Sequence, residues 1–97
     1  MDQDFLEKFI KEGNKKADFI KQQGKKPAII KILEEHGRTP KDLEDIFYKL
    51  MGAGADEITS SKVISDATLL QKYFELLKGG MSDLELALVL RKQVVGY

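Results

Sequence analysis

Leu43, Ile46, Phe47 and Leu50 are separated by three, one and three residues, the step pattern of one side of an α-helix. Thr39-Pro40 stands just ahead of them. A threonine at the N-cap can satisfy a free backbone N–H, and proline suits the first helical position because its φ is already helical. The same grammar recurs along the chain and restricts it to packed helices.

From Asp4 to about Gln23, Leu6, Ile10, Gly13, Ala17 and Ile20 fall on one stripe, which Phe5 and Phe9 widen. Phe19 is assigned to the same apolar side. Asp4 and Glu7 make a capping pair for this helix. Gly13-Asn14 leaves two readings: one continuous helix approached closely at Gly13, or two helices with Asn14 capping the second. The stripe keeps its phase across Gly13, which favours the continuous helix.

A second helix opens at Pro27, after the breaker Gly24. Ile29, Ile30, Ile32 and Leu33 make it apolar around most of its circumference, so a central place is expected. His36-Gly37 ends it, and Gly52-Ala53-Gly54 ends the third helix. Residues 52–65 are rich in serine, threonine and β-branched side chains, and an ordered loop, a short helical turn or an extended segment all remain open. Val63 and Ile64 are expected to pin this stretch to the core. Ser65 or Asp66 caps the next helix, with Leu69, Leu70, Tyr73, Phe74 and Leu77 as its buried face. Gly79-Gly80 stops it. Ser82 and Glu85 then form a capping box for a last helix in which Leu84, Leu86, Ala87, Leu88, Val89 and Leu90 cover nearly every side. Such a helix is either the central element or part of an oligomer interface. The expected fold is all-α: a small compact bundle of four to five helices, with one longer ordered loop at about residues 52–65. The whole chain, 1–97, is read as a single domain.

Composition removes several alternatives. The chain has no cysteine, so disulfides, thiolate metal sites and cysteine nucleophiles are out. Its longest apolar run, Leu86 to Leu90, is five residues, whereas a membrane span needs about 20. Met1-Asp2-Gln3-Asp4 lacks the basic start and apolar stretch of a secretion signal, so a cytoplasmic location is expected.

Catalytic chemistry finds little to work with. His36 is the one histidine, and it reads as a residue of the last helical turn that satisfies carbonyls. Glu34-Glu35 and Glu44-Asp45 are neighbours in sequence, and neighbours on a helix diverge by about 100°. Gly52-x-Gly54 follows a helix rather than a strand, and Gly24-Lys25-Lys26 lacks the upstream glycine and the hydroxyl of a phosphate loop. Asp42 to Asp45 lacks the alternating ligands of a calcium loop. No catalytic residue, metal, cofactor or small-molecule site is assigned.

Two helix pairs resemble a helix-turn-helix in outline. Through Gly37 and Thr39-Pro40, the would-be reading helix would offer Glu44 and Asp45 to a phosphate-lined groove, which repels them. Leu33 is also large for the tight packing of the two helices. Through Gly79-Gly80-Met81-Ser82, Leu84 and Leu88 would be left exposed. Both pairs are therefore read as plain helical hairpins.

The net charge of zero hides a polarised chain. From Lys8 to Lys31 the balance is +6, and from Glu34 to Asp66 it is −4. Lys8, Lys11, Lys15, Lys16, Lys25 and Lys26 form a candidate face for an anionic partner. Lysine rather than arginine dominates, so attraction there would be diffuse. Residues 5–23 also have the two-sided character of a membrane-surface helix, although a chain this short needs their apolar side in its core. Leu84, Leu88, Val94 and Val95 are the candidate oligomer interface. Elimination thus leaves a non-enzymatic intracellular protein–protein interaction or regulatory module, self-associating or bound to a protein partner. A weak, sequence-nonspecific nucleic-acid binder using the Lys8–Lys31 face is the alternative.

Overall fold

The computed structural model describes residues 17–96, which contain helices and turns and no strand. Residues 17–23 are helical and are labelled α1. They are followed by α2 (Pro27–Glu35), α3 (Asp42–Gly52), α4 (Glu57–Ser65), α5 (Ala67–Lys78) and α6 (Asp83–Val95). The all-α class is as expected. The expected count falls short because the anticipated loop at 52–65 contains a helix, α4. Asp4, Glu7 and the Gly13-Asn14 break lie outside the described residues.

The helix that escaped the sequence reading sits at the centre. α4 packs against α3, α5 and α6, while α3 and α5 also pack on α6, and α2 packs on α5. The central place expected for the greasier α2 therefore belongs to α4. Its buried residues are Thr59, Ser60, Val63 and Ile64, at steps of one, three and one. That is a helical face, but half of it is hydroxylated. Asp56 starts the helix: its Oδ1 accepts the Thr59 backbone N–H at 2.9 Å. The Ser60 hydroxyl donates to the Asp56 carbonyl at 3.0 Å, so this polar group is buried with a partner.

The Asp56 carboxyl is held below its ordinary value. The cause is mainly Thr59, through its hydroxyl and its N–H, and the positive charge of Arg91 on α6 acts in the same direction. The Thr59 hydroxyl approaches without completing a hydrogen bond, so the N–H contact at 2.9 Å is the firm one.

The other helices follow the sequence closely. In α3, Leu43, Ile46, Phe47 and Leu50 are all buried. Thr39, however, serves that helix through its backbone. Asp42 Oδ2 accepts the Thr39 N–H at 2.8 Å, and its contact with the Thr39 hydroxyl is longer, at 3.4 Å. This is the reciprocal half of a capping box, with the acid three residues on reaching back. Asp66 caps α5 by accepting from the N–H groups of Thr68 and Leu69. Ser82 caps α6 by accepting from the Glu85 N–H at 3.3 Å. In α5, Leu70, Tyr73 and Phe74 are buried, while Leu69 and Leu77 are half-buried. Burial pushes the Tyr73 hydroxyl above the ordinary tyrosine value; the Asp83 charge adds to this and Arg38 opposes it.

The expected stripe of the first helix is only partly realised in α1. Ile20 is buried, whereas Ala17 and Phe19 are exposed. Where α1 ends, Gly24 lies so close to the start of α3 that a Cβ there would meet the Pro40 Cβ at 3.0 Å. No helix among the described residues is long and apolar enough to cross a membrane.

Candidate functional site

The last helix carries two apolar sides. Leu86, Ala87 and Leu90 are buried and fill the core, whereas Leu84 is 62% exposed and Leu88 52% exposed. At 100° per residue, Leu84, Leu88 and Val95 fall within about 40° of one another, forming an outward line along the helix. Val95 is half-buried, and so is Val94, which helical spacing places nearer the core face with Leu90. Of the four residues proposed for an oligomer interface, three thus share one line and the fourth flanks the core.

Charge along α6 is graded. Asp83 and Glu85 stand in its first turn and Lys92 in its last, with Arg91 beside it. The acids suit the positive end of the helix dipole and the bases its negative end. The exposure of Leu84 and Leu88 is what a helix-turn-helix through α5 and α6 would require, contrary to the burial expected from the hairpin reading. Against a DNA-reading role stand the acids of the first turn, which would meet the phosphates.

His36 satisfies the Leu33 carbonyl of its own helix through its backbone N–H, at 3.1 Å, while its side chain reaches another helix. Its Nε2 lies 3.3 Å from Gln71 Oε1, and its ring stacks on Phe74 with centroids 4.5 Å apart. The Arg38 guanidinium carbon sits 5.9 Å from the centroid of that same phenyl ring. This group ties the end of α2 to α5. Among the described residues, no group of three or more His, Asp or Glu side chains converges as metal ligands would.

Of the six lysines assigned to an anionic partner, Lys8, Lys11, Lys15 and Lys16 lie outside the described residues. Lys25 and Lys26 are exposed in the turn after α1. Lys25 belongs to a groove of about 440 Å³ between α1 and the start of α3, where Ile20 and Gly24 form the buried floor. Among the described residues, Lys21, Lys41 and Glu44 add to its charged lining, and Ala17 and Pro40 to its apolar one. Sequence reasoning missed Lys21 and Lys41 as partners of Lys25, because they meet only through the packing of α1 on the start of α3, where Gly24 comes close to Pro40.

No family model, no curated protein and no solved structure matches this chain.

Proposed function

We propose that this chain is a non-enzymatic intracellular interaction module that pairs with a second copy of itself through the outward line of α6. The exposure of Leu84 and Leu88, on a helix whose other side already fills the core, carries this reading. Large apolar side chains aligned on a surface mark interaction sites more often than scattered ones do. The charge gradient of α6 supports an antiparallel arrangement. In a twofold pair each copy offers the same patch, so Glu85 of one copy faces Lys92 of the other, both lying on the same flank of the outward line.

The test is light scattering after size exclusion across a concentration series, with helicity followed by circular dichroism. Wild type dimerises and its melting temperature rises with concentration, whereas Leu88→Glu is a folded monomer whose melting temperature does not depend on concentration and matches wild type at high dilution. Lys92→Glu weakens the dimer, and adding Glu85→Lys to it restores association. A wild-type monomer at millimolar concentration overturns the reading. If Leu84→Ser and Leu88→Glu both leave the dimer intact, another surface makes it.

A further inference from the structure

We infer that the groove between α1 and α3 binds a medium-chain carboxylate, with its acyl chain on the Ile20–Gly24 floor and its carboxylate among Lys21, Lys25 and Lys41. The groove's volume of about 440 Å³ lies within the range of small-ligand sites, about 300–1,000 Å³. Its floor is apolar, and its lining among the described residues has no aromatic ring on which a nucleobase would stack. The lysine stems extend the apolar wall while their ammonium groups stay in water. Among the described residues, Lys21, Lys25 and Lys41 against Glu44 leave the lining net positive, which selects an anion over a cation. Lysines are point charges on flexible stems, suited to one carboxylate without the paired geometry that arginine gives. Gly24 lets the two walls of the groove approach each other: a side chain there would run into Pro40.

The experiment is an amide chemical-shift titration of the full chain with hexanoate, octanoate and decanoate below their aggregation limits. The amides of Ala17, Ile20, Gly24 and Lys41 should shift together. Affinity should rise about fourfold for each added methylene, the factor for burying one CH₂. Decyltrimethylammonium should bind at least tenfold more weakly than decanoate. Ala17→Glu, at an exposed position, should cost at least tenfold while the fold is retained. The Lys25→Glu/Lys41→Glu double variant should lose decanoate but not decanol. Leu88→Glu should leave decanoate binding unchanged, which separates this site from the α6 surface. The inference is overturned if no shifts appear in the groove, if the cationic amphiphile binds equally well, or if the shifts centre on Leu84 and Leu88. Association with anionic vesicles in the absence of decanoate binding would overturn it as well, and would make the face a membrane contact.

Discussion

The Arg38 backbone N–H reaches back to the Leu33 carbonyl at 2.7 Å and closes α2 around Gly37. The Gly37 N–H bonds to the Glu34 carbonyl at 3.1 Å, completing a Schellman turn, and φ at Gly37 is +67°. Nothing lies within 4 Å of where a Cβ would stand, so only the backbone conformation demands glycine there. Gly37→Ala should therefore destabilise the chain by about 1–2 kcal/mol, the cost of a left-handed L-residue. Gly52, at the end of α3, has equal space and no positive φ. There the same change should stabilise by about 0.4–1 kcal/mol, by narrowing the unfolded ensemble. Urea melts of the two variants would show opposite signs.

The two sides of α6 predict a second contrast. Leu86 is fully buried and Leu84 largely exposed, two residues apart on one helix. Leu86→Ala should cost about 2–5 kcal/mol through lost transfer energy and a cavity. Leu84→Ala should stay within about 0.5 kcal/mol when measured on the monomer, for instance in the Leu88→Glu background. Equal losses at both positions would contradict the packing described.

The core's hydroxylated face gives a third prediction. Ser60 is fully buried on α4, the helix against which α3, α5 and α6 all pack. Ser60→Leu should destabilise by about 1–3 kcal/mol or more, because the added carbons have nowhere to go. Ser60→Ala removes only the hydroxyl and its bond to Asp56, and should cost about 0.5–1.5 kcal/mol. Chemical denaturation of both variants would rank size against polarity at this position.

Asp56 makes stability depend on acidity. Its carboxyl is held below the ordinary value of 3.8, so the folded state binds its proton less readily than the unfolded chain does. The stabilisation is therefore complete above that value and is lost as pH falls through the lower folded value. Thermal melts of wild type and Asp56→Ala should differ most at neutral pH and converge in strong acid. A constant gap down to pH 2 would mean that the charge plays no part in the cap.

Where one side of a helix is apolar and its ends carry a cap and a stop, the sequence was enough to read it. Leu43, Ile46, Phe47 and Leu50 were legible as a buried face, Ser82 as a cap and Asp66 as one of two candidates for the cap of α5, because these signals are local. α4 was not legible as a helix because Thr59 and Ser60 replace two apolar residues on its inward side and Ile58 faces out. Threonine, serine and β-branched residues are also weak helix formers. The surviving clue was Asp56 three residues before Thr59, together with the spacing of Thr59, Ser60, Val63 and Ile64 once hydroxyls are allowed on a core face. On α6 the sequence showed an excess of leucine and offered Leu84 and Leu88 for an interface, but left burial of the same two residues as an equal reading, since the outcome depends on where α4 and α5 sit. The groove was illegible for a related reason, since its walls come from helices distant in sequence that approach closely at Gly24.

The placement of α4 bears on how the chain acquires its shape. A nine-residue helix built from weak formers holds almost no structure in isolation, whereas α3 and α5 have longer apolar faces with which to form early contacts. The innermost element is then the one most dependent on its neighbours, and it becomes ordered only as they close around it. Those neighbours in turn have no complete core until it arrives. The order of α4 and the closure of the core are therefore one equilibrium, and α4 should melt together with α3, α5 and α6 rather than ahead of them.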